Sequence, residues 1–272
     1  MLLMYPSRKM VKQWFYFWIN EKRMDQWFQE KNIFFILSMG RSGTKFLSNL
    51  LNKAPNSIVV HEPVRSDFRA HQIAFHNETH SYKYIKNFRK KEIFLRLRKK
   101  DFKVYGEVNS VLRRHCKALK ELFPNAIIIH LVRDGRDVVR SMMSRNTMTT
   151  RDPNTRYIYP KKDDPWNLKW HSMSRFEKLC WYWKVENEYL DQHLKYRIRF
   201  EDIISDYNYF SNNLLKILNL DISKETWENE IKTPKNITLK YTIPHWKDWD
   251  ETMLNKFNKI CGEMMRRYDY IN

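Results

Sequence analysis

Two short stretches carry residues whose types and spacing can do chemistry together. The first, SMGRSGTKF (Ser38 to Phe46), sets Arg41, Ser42, Gly43, Thr44 and Lys45 directly after an apolar run. Gly40 and Gly43 permit a tight turn and close approach of backbone to an oxygen. The amides of Arg41 to Lys45 would converge where a following helix also favours an anion, with the Ser42 and Thr44 hydroxyls adding donors. Arg41 brings a permanent, forked charge. A Walker-type phosphate loop runs Gly-Lys-Ser/Thr; here Thr44 separates Gly43 from Lys45, and an arginine sits inside the turn. The second stretch, IIIHLVRDGRDVVRSMM, has Arg133 at the tip of an apolar run and Ser141 eight residues later. An arginine and a hydroxyl suit a terminal phosphate monoester through charge-assisted hydrogen bonds. The plainer alternative is a salt-bridged turn of Arg133 and Asp134, with Ser141 on a solvated helix face.

To bring these stretches together the chain needs strands that end side by side. Apolar runs at Ile33 to Ser38, Ser57 to Val60, Phe102 to Val108 and Ala126 to Val132 read as buried strands, with a shorter one at Tyr196 to Phe200. Helical patterns lie between them: Lys45 to Leu51, Ser110 to Phe123, Asp137 to Ser144, Phe176 to Leu194 and Tyr207 to Leu218. Strands without strict alternation, separated by helices, predict a three-layer α/β domain: a mainly parallel sheet with helices on both faces. Ligands then bind at the C-terminal edge of the strands. Trp181 and Trp183 read as core. Two segments break the rhythm. Ser81 to Lys103, crowded with Lys and Arg, reads as a solvated amphipathic helix, and Arg145 to Lys169, polar and with three prolines, as a lid or substrate loop.

The 272 residues are expected to form a single domain (1–272), with 1–32 as an N-terminal helical extension and 145–170 as the lid or substrate loop. Fifty basic and thirty-one acidic residues leave a net charge of +19, which favours anionic partners without identifying one. Cys116, Cys180 and Cys261 form neither a metal motif nor an evident disulfide set, which fits a reducing, cytoplasmic setting. The aromatic N-terminus lacks the roughly 20 apolar residues of a spanning helix; Trp14, Phe15, Trp18 and Trp27 suit an amphipathic helix packed on the domain.

GRSGTKFLSNLL, LVRDGRDVVRSM and RFEDI (Arg199 to Ile203), in this order, resemble the sulfotransferases that use 3′-phosphoadenosine-5′-phosphosulfate (PAPS). The Arg-Ser-Gly form of the loop is similar to bacterial and carbohydrate sulfotransferases. HWKDW and MMRRYDY also resemble family elements. The resemblance implies a P-loop-like sulfotransferase fold and a loop, Arg41 to Lys45, that holds the 5′-phosphosulfate. It implies further that Arg133 and Ser141 hold the 3′-phosphate, with Lys247 near it beside Trp246. Product PAP (3′-phosphoadenosine-5′-phosphate) would leave after in-line, metal-independent sulfuryl transfer to a hydroxyl or amine of a small molecule or glycan. A sulfuryl group carries less charge than a terminal phosphoryl group, so a cation at the bridging oxygen, assigned to Arg41, serves in place of a metal clamp.

The general base has several candidates. Glu107, in YGEVNSV, resembles the catalytic Glu of a Glu-Lys-Ser/Thr motif in glycan sulfotransferases, with Val108 where those enzymes carry Lys. Glu62, in VVHEPV, is the rival at the next strand end, and His61 a third choice. Asn109 and Ser110 suit a helix cap or a substrate contact, and Arg199, Glu201 and Asp202 suit structural contacts at a strand-to-helix junction. Other functions remain in play: a P-loop nucleotide kinase or NTPase using Lys45 with Mg²⁺, and a basic nucleic-acid-binding protein. No base-reading motif accompanies the charge, so nucleic-acid association would be non-specific.

Overall fold

The computed structural model describes residues 19–233 and 240–272. Five strands, β1 (Asn32–Ser38), β2 (Ser57–His61), β3 (Val104–Asn109), β4 (Ile127–Val132) and β5 (Arg197–Arg199), form one sheet in the order β2-β3-β1-β4-β5. Every pairing is parallel. The strand pattern follows from burial on both faces. Along β1, Phe34 and Ile36 join one core cluster, while Ile33, Phe35 and Leu37 join the opposite one. Neither parity faces water, so the run is apolar throughout, and each such side chain contributes roughly 1.5–3 kcal/mol by leaving solvent.

The first face is covered by the helix Thr44–Leu51 and by helical turns between residues 200 and 231. The second is covered by the helix Glu21–Gln29, by the segment 78–97 and by Cys116–Leu122. A third cluster joins the helix Gly135–Met143 to the long helix Arg175–His193 and the C-terminal helix Glu251–Arg267. Trp181 and Trp183 lie in it, 1% and 0% exposed, as core residues.

Several elements depart from the sequence expectation. Segment 78–97 is two α-helices, Glu78–Tyr84 and Lys90–Leu97, joined through a π-helical turn at Ile85–Arg89. It is not a solvated helix: Arg89 is 1% exposed and reaches inward to Asp67 and Glu107. The helix expected from Ser110 begins only at Cys116, after a turn and a short 3₁₀ segment, Arg113–His115. Residues 145–170 are a succession of turns laid on the helix Ser66–His76. Gln72 donates to the Pro153 carbonyl at 2.5 Å, and His76 Nε2 lies 2.9 Å from the Tyr157 carbonyl. Trp27 packs edge-on against Phe28, Phe94 and Phe102; Trp14, Phe15 and Trp18 lie outside the described residues. No described helix is long and apolar enough to cross a membrane.

Candidate active site

From β1 the chain crosses towards β3 and β2, and from β4 towards β5, so the connections diverge between β1 and β4. That divergence opens a crevice at the C-terminal ends of the two strands. The turn 39–43 leaves β1 there, and Arg133 leaves β4.

Two left-handed residues shape the turn: Arg41 at φ +73° and Gly43 at φ +81°. Such a backbone turns successive amides inward and makes an anion-binding nest. Gly43 is required twice over, since its φ is left-handed and a Cβ would meet the Phe200 ring at 2.1 Å. Gly43 also caps the helix Thr44–Leu51 without a side chain, leaving its first-turn amides uncapped at the positive end of the helix. Among the described residues, the buried Ser42 hydroxyl has no hydrogen-bond partner. An oxyanion would supply the acceptor it needs.

The far side of the crevice closes onto this turn. Arg133 Nη1 donates to the Arg41 carbonyl at 3.0 Å, and Arg41 Nε donates to Ser141 Oγ at 2.9 Å. Ser141 is 5% exposed, not on a solvated face, and Asp134 pairs with Arg136 instead of Arg133. Arg133 also approaches Asp137 at 3.5 Å. Burial lowers the Arg41 pKa, and the nearby cations Arg145 and Arg133 push it the same way. Crowded guanidiniums of this kind are relieved by a polyanion.

Next to the turn 39–43 lie the proton-transfer candidates. β2 ends at His61, and Glu62 follows with φ +42°. His61 Nε2 lies 2.9 Å from Thr44 Oγ1 and 3.7 Å from Glu62 Oε1. Burial lowers the His61 imidazole, Glu62 opposes this and Lys45 reinforces it, leaving His61 neutral near pH 7. The Ser110 amide donates to Glu62 Oε1 at 3.3 Å, and the Ser110 hydroxyl donates to the same oxygen. Glu62 keeps 16% of its side chain exposed.

Glu107 is not in this crevice. Strand parity turns it, with Tyr105, to the face covered by segment 78–97, where it is 0% exposed. Arg89 Nη2 grips its oxygens at 2.7 and 2.6 Å, and the Tyr105 hydroxyl donates at 2.5 Å. Burial pushes the Glu107 carboxyl up, but Arg89, Tyr105 and Arg96 outweigh it and hold it below its ordinary value. Lys247 stands on an exposed turn, Trp246–Asp248, where Trp246 stacks on Arg136 at 3.7 Å. Among the described residues, no hydrogen bond or ion pair joins the Lys247 side chain to the turn 39–43.

The family model described as "Sulfotransferase family" matches residues 34–224, from β1 to the start of the helix Lys224–Ile231. The chain belongs to the sulfotransferase family. No curated protein matches the sequence. Among solved structures, sulfotransferase STF1 from Mycobacterium tuberculosis H37Rv is similar over 88% of this chain and 80% of its own, with 13% identity and a TM-score of 0.51. Mouse sulfotransferase SULT7A1, complexed with PAP, is similar over 88% and 86%, with 14% identity and a TM-score of 0.53. At these identities the likeness is one of fold: a parallel sheet clothed by helices.

Within the sulfotransferase crevice, the structure adds residues that no motif announced. Phe200, the second residue of RFEDI, backs Gly43 and lies 5.3 Å from the Arg133 guanidinium. Arg145 and Tyr241 act electrostatically on Arg41 with opposite sign. The neighbourhoods of these last two give no signal. Arg199, Glu201 and Asp202 are structural: Arg199 pairs with Asp202 at 2.8 Å, and Glu201 accepts from the Asp134 amide and the Tyr270 hydroxyl.

Proposed function

We propose that this member of the sulfotransferase family transfers a sulfuryl group from PAPS to a hydroxyl or amine of a small molecule or glycan, and works as a single domain. The observation that carries this is the joint made by Arg41, Ser141 and Arg133 across the switch point. One phosphate-binding turn is common to many nucleotide sites; a second arginine–serine unit tied to it suits a donor with phosphates at both ends. In this assignment the amides of 41–45, Ser42, Thr44 and Lys45 hold the 5′-phosphosulfate, while Arg133 and Ser141 hold the 3′-phosphate. Lys247 is assigned to the rim near that phosphate. The PAP bound in the mouse relative supports the same choice of donor.

Glu62 takes the acceptor's proton. It is part-exposed beside Thr44 and His61, whereas Glu107 is sealed under Arg89. As the acceptor oxygen or nitrogen bonds to sulfur, the bond from sulfur to the bridging oxygen breaks and Glu62 accepts the proton. Arg41 offsets the charge growing on that bridging oxygen. PAP and the sulfated acceptor are the products. Because Arg41 fills the cation's role, turnover persists in EDTA. The three cysteines, all buried and unpaired, support a cytoplasmic setting. The test is release of PAP from PAPS with panels of phenols, amines and glycans. PAP release that depends on acceptor and survives EDTA is expected; activity only with Mg²⁺ and ATP would overturn the proposal.

A further inference from the structure

Behind the crevice lies a buried ionic cluster with no part in the chemistry above. Arg89 grips Glu107 through Nη2, lies 3.0 Å from Asp67 Oδ1 through Nε, and is paired by Glu92 through Nη1. Asp67, Arg89 and Glu107 are all 0–1% exposed. Burying so many charges is a poor route to stability, because desolvation consumes most of the Coulombic gain. The cluster's rigidity has an outlet, however. Asn109 Nδ2 donates to Glu107 Oε2 at 3.1 Å and reaches Asp67 Oδ2 at 3.5 Å. The other end of the same amide, Oδ1, accepts from the Val111 and Leu112 amides at 3.0 and 3.1 Å. Both ends of Asn109 are therefore spent on fixing the turn 109–112, and Ser110 stands in that turn.

From there Ser110 presents its amide and its hydroxyl to one oxygen of Glu62, Oε1. Among the described residues, no hydrogen bond reaches the other oxygen, Oε2. A carboxylate on a strand-end loop, just past a strand and at φ +42°, gains little direction from its own backbone. Two donors on a single oxygen restrain the carboxylate and leave its second oxygen for other partners.

We propose that Ser110 is the positioning residue of the base, and that the buried Asp67–Arg89–Glu107 cluster acts on Glu62 through Asn109 and Ser110. The two glutamates are thus not rivals: Glu107 anchors the turn that aims Glu62. This rests on the assignment of Glu62 as base.

The test uses full-length protein carrying ¹³C-carboxyl glutamate, free and with PAP, with the Glu62 resonance identified by its loss in Glu62→Gln. Ser110→Ala should displace or broaden that resonance, and Ser110→Thr, which keeps the hydroxyl, should restore it. Asn109→Ser, which keeps an acceptor for the turn but loses the donor to Glu107, should give a smaller change of the same kind. PAPS hydrolysis, with water as acceptor, should lose about tenfold in kcat in Ser110→Ala, the size of one hydrogen bond to a charged group. KM for PAPS and PAP affinity should hold within about twofold. A Glu62 resonance and kcat indifferent to Ser110→Ala overturn the proposal, as does a Ser110→Thr variant no better than alanine. Failure of the wild type to bind PAP defeats the donor assignment alone, since the resonance of the free protein still decides the tether. Full hydrolysis by Glu62→Gln defeats the base assignment whatever Ser110 does.

Discussion

At the scale of single residues, the distinction is between groups that face the crevice and groups that hold it. Glu62 and Glu107 are both carboxylates at strand ends, yet one has a partly open side chain and the other none. Glu62→Gln should abolish PAPS turnover by at least about a hundredfold, the range of a general base, with the melting temperature nearly unchanged. Glu107→Gln should do the reverse. It leaves Arg89 short of a buried counter-charge and should cost about 1–3 kcal/mol of stability in a urea titration, with a smaller loss of turnover. Equal losses of turnover without destabilisation in the two variants would contradict the division of roles.

Among the elements, the crevice between β1 and β4 is set by short-range geometry. The Arg41–Lys45 turn and the Arg133–Ser141 unit each span one strand end and the helix that follows it, so their place at strand ends was legible from local sequence. Their partnership was read only in part: Ser141 meets Arg41, and Arg133 meets the Arg41 carbonyl. Gly43→Ala should test the turn directly. It forces a side chain into a left-handed φ and against Phe200, which should cost more than about 1 kcal/mol of stability and remove PAP binding. Tolerance of alanine with full PAP affinity would contradict the described turn. The stretch Ser81 to Lys103, expected as a solvated helix, is instead partly buried for a physical reason. A run of Lys and Arg resembles a solvated face, but Arg89 is distinguished only by partners far away in sequence, Asp67 and Glu107. The parity of β3 carried part of the answer, since Glu107 alternates with Val108 and Val104 and so shares the face of Tyr105.

For the whole molecule, the layered architecture was legible because β1 is apolar at both parities. The contact between the helix Ser66–His76 and the turns of 145–170 was not, because residues 81 positions apart share no local motif. The buried ionisable groups also give the fold a pH signature. Burial, aided by Arg113 and opposed by Glu186, lowers His71 to about 4; burial, aided by His71 and His80, lowers His115 to about 3. Their ordinary value is 6.5, so below it the unfolded chain takes up two protons that the folded chain refuses. Asp67 runs the other way. Burial raises it to about 7 from 3.8, so its contribution is full below 3.8 and is lost as pH rises through 7. Over these three groups, the balance between pH 6.5 and 5 is less than one net proton favouring the unfolded state, or about 1.4 kcal/mol lost on acidification. Urea midpoints should therefore fall between these pH values; a midpoint that holds or rises at pH 5 would contradict the burial of both histidines in neutral form.

The central claim is that the crevice between β1 and β4 holds a donor with phosphates at both ends. Isothermal titration of the full chain with PAP, in EDTA, tests it most directly. Micromolar binding is expected. Arg133→Ala should weaken it by at least about tenfold, the loss of one charge-assisted contact. No binding of PAP, or binding that Arg133→Ala leaves intact, would contradict the account.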